Sequence, residues 1–264
     1  MSRTGQPTPA DAARGPAGPI VTALFIGDFP MPRGSALGVH RHPEHQLAWP
    51  SRGLLRFWTA RGSWLLPPTL ALWIPAGLPH APESEGDAVL GSLYLAPGHG
   101  PAAPWPAPTV LALNPLARAL LDHLVRTDLA PAARARAEAV LFDVLRPVPV
   151  TDVSVPEPAD PRARTVARAL AADPADGRTL GEWGAGVGAS ERTLARLFAT
   201  ETGLAFGRWR QRLRMRAAMP VLAEGLPLDA VARRVGYASA SSFAAAFHRT
   251  VGLTPRQYFP LRDG

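Results

Sequence analysis

The sequence contains no cysteine and no lysine. The absence of cysteine excludes disulfide bonds, thiol redox sensing and zinc sites built on cysteine thiolates. The absence of lysine means that every basic side chain other than histidine is an arginine. The distribution of positive charge along the chain is therefore the distribution of its arginines.

Long apolar runs and common catalytic motifs are also missing. The longest apolar candidate, residues 64–79, is interrupted by prolines and falls short of the roughly 18 residues that a membrane span needs. Residues 1–19 lack the apolar centre of a secretory signal and predict a flexible tail. No phosphate-binding loop, dinucleotide fingerprint or nucleophile–base–acid set is visible. We therefore expect a cytoplasmic protein without a membrane span and without enzymatic activity.

The positive charge is concentrated in the C-terminal part of the 264-residue chain. Residues 161–264 contain 16 arginines and eight acidic residues, whereas residues 1–160 contain 12 arginines and 13 acidic residues. The net charge of +7 thus comes from the C-terminal part. This asymmetry predicts a sensing or assembly domain joined to a domain that binds a polyanion.

The hydrophobic pattern changes along the chain. Short apolar runs between Ile20 and Pro97, bounded by Gly, Pro, Ser or Arg, predict the strands of an antiparallel barrel or sandwich. Apolar stripes predict helices over residues 115–127 and 131–146, each beginning at a proline. Proline-rich residues 147–160 predict a semi-extended linker.

An internal repeat follows the predicted linker. The segments "VGASERTLARLFATETGLAFGRW" and "VGYASASSFAAAFHRTVGLTPRQY" align with a constant offset after the first serine of each. Ser190 matches Ser239, and Phe198 matches Phe247. The alignment predicts two copies of one supersecondary unit.

Each copy has the features of a helix-turn-helix. A short helix ends at Val-Gly, and the following serine can cap a second helix. In the first copy the second helix, predicted over residues 191–201, has Leu194 and Phe198 on one face and Arg192 and Arg196 on the opposite face. From spacing alone, a helical hairpin with a solvated front remains the alternative.

The duplicated block resembles the DNA-binding domain of the AraC/XylS family of transcriptional regulators over residues 161–259, with both turns, both glycines and the Thr-Pro-x-x-Tyr ending in agreement. This resemblance implies two helix-turn-helix units joined by one long helix, residues 206–225, with both recognition helices entering successive major grooves of DNA. The implied DNA-binding residues are Ser190, Arg192, Thr193 and Arg196 in the first unit and Ser239, Ser241, Ser242 and His248 in the second.

Three further features of this domain bear on DNA binding. Ala245 stands where many family members carry an arginine, which leaves the second recognition helix with little capacity to read bases. Arg208, Arg212 and Arg216 line one side of the joining helix, as phosphate contacts or as a solvated face. The first helix of the first copy contains three glycines at 181, 184 and 186, each of which costs roughly 0.5–1 kcal/mol relative to alanine inside a helix.

The stretch "HRHPEHQ", residues 40–46, contains three of the seven histidines. Together with a later "PAGLPH", it resembles the two short motifs of a cupin barrel, which supply His40, His42, Gln46 (at the usual acid position) and then Pro75, Gly77 and His80. His40 and His42 alternate along a predicted strand and share one face. If that face is the interior, the imidazoles converge on a divalent transition metal ion, with Gln46 as a weak further ligand.

Two alternatives to the metal site stay open: a pocket whose histidines bind an organic effector, and no function. His45 is expected to point the opposite way, into solvent.

The sequence thus predicts an α+β protein of two domains. Residues 20–146 would form a cupin-like β-barrel with a helical hairpin, which senses a small ligand or metal and forms a homodimer through leucines such as Leu120 and Leu124. Residues 161–264 would form an all-α double helix-turn-helix. The predicted function is regulation of a promoter, with RNA polymerase as a partner if the protein is an activator. The alternatives are a cupin-type metal-dependent enzyme with a DNA-binding appendage, and a nonspecific DNA binder.

Overall fold

The computed structural model describes residues 23–98 and 105–259. The chain divides into two compact units, Met1–Val148 and Pro149–Gly264. The predicted tail, residues 1–19, lies outside the described residues. No helix in the described ranges is long and apolar enough to cross a membrane.

In its described residues, the N-terminal unit contains nine strands in two antiparallel sheets. The strands are β1 (Ala23–Met31), β2 (His45–Arg52), β3 (Leu55–Thr59), β4 (Gly62–Leu66), β5 (Leu70–Ile74), β6 (His80–Ser84), β7 (Ala88–Leu95), β8 (Thr109–Ala112) and β9 (Arg146–Pro147). Six of them form a sheet in the order β1-β7-β2-β5-β8-β9, and three form a second sheet in the order β4-β3-β6. The expected strand-rich unit is present.

The strands do not close into the predicted barrel within the described ranges. The two sheets have separate edges, and in the described residues the chain between β1 and β2 pairs with the smaller sheet at isolated bridges, Ala36 to Glu83 and His40 to His80, instead of forming a strand. Short apolar runs predict strands from local patterning, whereas closure depends on which distant strands form hydrogen bonds with one another.

Two helices cover one face of the six-stranded sheet. They are α1 (Pro115–Leu124) and α2 (Pro131–Val144), both shorter than predicted. Helix α2 ends early because Leu145 is extended and Arg146 pairs with Ala112 of β8. The core between sheet and helices contains Leu47, Trp49, Trp73, Leu93 and Leu111 from the strands, and Ala117, Leu121, Leu124 and Leu141 from the helices.

Because side chains alternate along a strand, the other face of the same sheet carries different residues. Gln46 on β2 and Ser92 and Tyr94 on β7 lie on this second face and are buried. Polar side chains in a buried position need hydrogen-bond partners. This face of the sheet is therefore the one on which a polar site can be built.

The C-terminal unit is all helical in its described part. Its helices are α3 (Pro161–Ala172), α4 (Leu180–Val187), α5 (Glu191–Thr202), α6 (Phe206–Ala223), α7 (Leu228–Arg234), α8 (Ala240–Val251) and α9 (Pro255–Tyr258). The pairs α4–α5 and α7–α8 correspond to the two sequence repeats, and α6 joins them. Trp183, Leu194, Phe198 and Trp209 belong to the core of the first repeat.

Residues 149–160 have no helix or strand, but they pack along the C-terminal unit. Val153 is buried. The indole Nε1 of Trp209 donates to the carbonyl of Pro156 at 2.8 Å, and the amide of Thr151 donates to the carbonyl of Val251 at 2.9 Å. The segment predicted as a linker is thus attached to the helices of this unit.

Candidate DNA interface and histidine cluster

The first recognition helix, α5, is positioned by a tight turn after α4. Gly188 ends α4 with a positive φ of 67°, a conformation that favours glycine. Gly184 allows close packing in the same turn, since a Cβ there would lie 2.4 Å from the carbonyl oxygen of Ala189. Gly186, by contrast, has open space around it. The glycines of α4 therefore differ in their surroundings, although helix propensity alone treats them as equivalent.

Helix α5 presents its arginines to solvent. Leu194, Leu197 and Phe198 are buried, which leaves Arg192 and Arg196 exposed on the opposite face, as predicted. Neither arginine forms an ion pair with any residue in the described part of the chain. An exposed guanidinium without an acidic partner keeps its donors for an external acceptor such as the N7 and O6 atoms of guanine.

Several of the predicted contact residues cap the recognition helices. The Ser190 hydroxyl accepts from the amide of Thr193 at 3.1 Å and lies 2.8 Å from the Thr193 hydroxyl. In the second unit, the Ser239 hydroxyl accepts from the amide of Ser242 at 3.2 Å. These hydroxyls stabilise the start of each helix whatever else they contact. Ser241 is exposed beside them.

The second recognition helix, α8, has an outward face of mostly small side chains. Phe243, Ala246 and Phe247 are buried, and the exposed residues are Ser241, Ser242, Ala245, His248 and Arg249. Arg249 was not among the predicted contact residues. It could have been identified from the sequence, because it lies four residues after Ala245 and residues at that spacing share a helix face.

On the joining helix α6, the three arginines singled out from sequence are not equivalent. Arg208 is exposed, whereas Arg212 is half-buried with one guanidinium nitrogen 3.5 Å from the carbonyl of Ser154. Arg216 is also half-buried. The opposite face of α6 carries Arg210 and Arg214, which were not predicted to have a role.

In the N-terminal unit, three histidines from two distant segments meet. His40 pairs with His80 through an isolated bridge, and the ring centroids of these two residues are 4.4 Å apart. The rings of His42 and His80 are 5.1 Å apart. One ring nitrogen from each histidine lies within 4.8 Å of the others. The predicted convergence is present, but the predicted strand through His40 and His42 is not, because β2 begins only at His45.

Hydrogen bonds fix the same tautomer in all three rings. Each Nδ1 lies 2.8–2.9 Å from a backbone carbonyl oxygen, that of Gly38 for His40, Glu44 for His42 and Leu78 for His80. A carbonyl only accepts, so each Nδ1 is the protonated nitrogen. Each Nε2 therefore carries a lone pair, and the buried Nε2 of His80 has no hydrogen-bond partner among the described residues.

Gln46 places a further acceptor beside this set. Its amide nitrogen donates to the hydroxyls of Ser92 at 2.9 Å and Tyr94 at 3.2 Å. Its carbonyl oxygen therefore points to Nε2 of His42, at 3.3 Å. In this orientation two acceptors face each other, an arrangement that a cation between them would stabilise, whereas a half-turn of the amide would place its nitrogen against Nε2 of His42.

Burial favours the neutral form of His42 and His80. Burial lowers the pKa of His80 to about 4, assisted by the nearby His40 and His42, and burial also lowers the pKa of His42. Neutral imidazole is the form that binds metal ions.

Two neighbours of the cluster differ from expectation. His45 was expected in solvent, but its Nδ1 accepts from the amide of Ala76 at 3.0 Å and its ring stacks on Trp73. Glu44, which no sequence motif indicated, places a buried carboxylate oxygen 3.6 Å from Nδ1 of His42. An acidic side chain thus lies beside the cluster even though glutamine occupies the usual acid position.

Comparison with known proteins bears on the helical unit and on the whole chain. The helix-turn-helix domain family matches residues 183–260. The HTH-type transcriptional regulator NimR of Escherichia coli K12 is 34% identical over 224 residues, which cover 83% of this chain and 81% of NimR. An AraC-like transcription regulator of Streptomyces antibioticus is 31% identical over 194 residues, 73% of this chain and 56% of that protein.

Among solved structures, ToxT from Vibrio cholerae covers 91% of this chain and 99% of its own, at 10% identity and a TM-score of 0.37. A similarity at that score adds no support, so the assignment depends on the sequence relatives. They define a helix-turn-helix transcriptional regulator, which agrees with the paired helices and exposed arginines described above. The chain belongs to the AraC family of these regulators.

Proposed function

We propose that this regulator binds promoter DNA in the cytoplasm through α5 and α8 in successive major grooves, and that α5 supplies most of the base recognition. The observation that supports this division is the contrast between the two helices. Helix α5 has two exposed arginines that pair with no acid in the described ranges, whereas α8 has serines and alanines over the corresponding turns. An activator of this type would also contact RNA polymerase.

The test is footprinting of the promoters of the protein's own gene and of divergent neighbours. Wild-type protein is expected to protect a defined site with two segments one helical turn apart, since two recognition helices read successive grooves. Uniform protection at all promoters would instead identify a nonspecific DNA binder.

We further propose that the histidine cluster, defined as His40, His42 and His80, is the effector site and binds a divalent transition metal ion. One ring nitrogen from each of the three histidines lies within 4.8 Å of the others, and the side-chain oxygen of Gln46 adds a fourth acceptor. Imidazole nitrogen suits Zn, Ni, Cu or Fe. A tetrahedral site with metal–nitrogen bonds of about 2.0–2.1 Å needs nitrogens roughly 3.3 Å apart, so the rings would close by up to about 1.5 Å.

The same contacts support the cupin-like relationship as part of this proposal. Both short motifs contribute to the cluster, and Gly77 makes the turn before His80 with a φ of 74°. The relatives are transcriptional regulators, which favours sensing over catalysis at the cluster. Bound metal would act by holding the segment around His42 to the start of β6.

Metal analysis of protein purified without a His-tag tests this proposal. We expect one transition metal ion per chain, with affinity lowered about tenfold or more in the His40→Ala and His42→Ala variants. His123→Ala is the matched control, because His123 lies exposed on α1 outside the cluster. If the wild-type protein binds none of these metals, an organic effector becomes the better explanation of the pocket.

We also propose a homodimer formed through the hairpin α1–α2, but through other side chains than Leu120 and Leu124, which the sequence analysis indicated. Leu124 is fully buried and Leu120 packs against the core, so they are not a free edge. Leu116, 51% exposed, and Val140, 42% exposed, are the large apolar side chains that these two helices leave in solvent. A partner that covers them gains hydrophobic stabilisation.

A further inference from the structure

The C-terminal unit contains a cleft of about 260 Å³ for which the sequence motifs indicated no role. Arg210, Gln211 and Arg214 of α6 line one side of it, and Arg249 of α8 and Tyr237 of the preceding turn line another. We call it the arginine cleft. It is smaller than the roughly 300–1,000 Å³ of a typical pocket for an organic ligand, which favours a small group.

The residues that line the arginine cleft bring positive charge and no acidic side chain. No carboxylate lines it, and within the described ranges none of its three arginines forms an ion pair. The nearby Asp176 is engaged by Arg178, whose guanidinium donates to it at 2.7 Å. Burial and the neighbouring Arg210 both lower the pKa of Arg214, as expected where like charges gather.

The three arginines differ in the hydrogen bonds that their guanidinium groups already make. Arg214 donates to the carbonyls of Pro174 at 2.9 Å, Gly236 at 3.2 Å and Asp176 at 3.3 Å, so it forms a fixed wall of positive charge. Arg210 uses one nitrogen for the carbonyl of Arg178 at 2.8 Å and keeps the others.

Arg249 is exposed and its guanidinium is oriented by no acid in the described part of the chain. Arg210 and Arg249 therefore retain donors that can close on an anion from two sides. Guanidinium groups bind the oxygens of a phosphate with paired, charge-assisted hydrogen bonds.

We propose that the arginine cleft binds one backbone phosphate of the operator, between the two segments that α5 and α8 contact. This inference rests on the proposed DNA-binding mode. Arg249 shares the outward face of α8 with Ser241 and Ala245, so the cleft opens beside the surface that meets DNA. Helix α6 joins the two helix-turn-helix units, and the DNA between two successive grooves has to pass the part of the domain that joins them.

A thermodynamic cycle between protein and DNA tests the proposal. Full-length wild-type protein and the Arg249→Gln and Arg210→Gln variants are titrated with the footprinted operator over a range of salt concentrations. Each variant is expected to weaken binding to operator and to unrelated DNA alike, and to reduce the slope of log K against log salt by about 1. Arg168→Gln is the control, because Arg168 is exposed on α3 but already paired with Glu157.

The same titrations are repeated with operators that carry one uncharged methylphosphonate at each successive backbone position. At one position between the two contacted segments, the methylphosphonate should lower the affinity of the wild-type protein by as much as the Arg249→Gln substitution does. The affinity of the Arg249→Gln variant should not change when the same phosphate is replaced. This arm changes only the DNA, so a folding defect cannot imitate the result.

Three outcomes are distinguishable. If wild-type protein protects no defined operator, the proposed DNA-binding mode itself fails. If the operator is bound but no phosphate position couples to Arg210 or Arg249, the inference about the cleft is overturned on its own. If binding of inorganic phosphate by wild-type protein is lost in Arg249→Gln without any coupling to DNA, the cleft is a site for a free phosphorylated molecule and the backbone assignment is wrong.

Discussion

At the residue scale, the arginines of the C-terminal unit differ in what already occupies their donors. Arg162 and Arg178 form ion pairs with Asp160 and Asp176, and Arg214 donates to three backbone carbonyls. Arg192 and Arg196 have no such partner among the residues that the structure describes, and both are exposed. Charge alone therefore does not identify a DNA contact; an unoccupied, exposed guanidinium does so better.

Truncation of these two side chains is the first prediction. Arg192→Ala and Arg196→Ala should each cost about 1–3 kcal/mol of operator binding and relax the preference at one base position. Ser241→Ala should cost less, because a single hydroxyl discriminates bases weakly. Binding measured on a library of single-base operator variants checks both. Loss of binding in Ser241→Ala with unchanged base preference in the arginine variants would contradict the assignment.

At the scale of secondary-structure elements, the turn between α4 and α5 depends on one glycine and not on another. Gly184 approaches the carbonyl of Ala189 so closely that a methyl group there would force the backbone to move. A methyl group at Gly186 would meet no atom within 4 Å, so this position gains nothing from being glycine. Both look equivalent as helix residues of low propensity.

The matched pair of alanine variants separates the two glycines. Gly184→Ala should lower the free energy of unfolding by about 1–3 kcal/mol, as for other overpacked sites. Gly186→Ala should raise it by roughly 0.5–1 kcal/mol, because alanine loses less conformational entropy in a helix. Urea unfolding followed by circular dichroism measures both. Equal effects of the two substitutions would show that packing at the turn is not the deciding factor.

The guanidinium of Arg214 on helix α6 contacts both helix-turn-helix units. Arg214 reaches the loop before α4 at Pro174 and Asp176 and the turn before α8 at Gly236. A Cβ at Gly236 would lie within 3 Å of both Arg214 and Ala175, so the two units approach each other here. We expect this contact to help hold the separation of the two recognition helices.

Arg214→Met should lower the free energy of unfolding by about 1.5–3 kcal/mol, because partly buried carbonyls lose their charged donor. It should also broaden the range of operator spacings that are bound. Arg212→Met is the control on the same helix, since Arg212 makes one long hydrogen bond. Binding to operators with one base pair added or removed between the segments checks the second effect. A variant that keeps the wild-type spacing preference would show that other contacts hold the units apart.

At the scale of the whole molecule, the hairpin α1–α2 is the candidate dimer contact. Its apolar side chains differ in solvent exposure: Leu124 is in the core, whereas Leu116 and Val140 are exposed to solvent. A charge in the core unfolds a domain, but a charge on an exposed apolar surface only removes a partner.

The double variant Leu116→Glu, Val140→Glu should be a folded monomer with weaker operator binding. Leu124→Glu should instead unfold or aggregate. Light scattering after size exclusion measures mass, and circular dichroism measures folding. A wild-type protein that is already monomeric at micromolar concentration, or a double variant that stays dimeric, would place the contact elsewhere.

Local sequence features determined much of the C-terminal unit. Serine and threonine caps, left-handed glycines and apolar spacing act within a few residues, so α5 and α8, their buried faces and the exposed arginines of α5 followed from sequence. The duplication and the family resemblance extended this to the paired units, and the comparisons confirmed the family. In the N-terminal unit the same local rules predicted strands and two helices, and the convergence of His40, His42 and His80 followed from motif resemblance.

Only the tertiary structure decided the features that depend on contacts between distant residues. The strands form two sheets instead of a closed barrel, α2 stops where Arg146 joins β8, and Leu124 is in the core. The three histidine rings meet because the bridge between His40 and His80 joins two distant segments. The arginine cleft exists because α6 and α8 bring Arg210 and Arg249 together across 39 residues of chain. Local propensity acts through neighbouring residues, whereas such sites depend on which elements pack against each other.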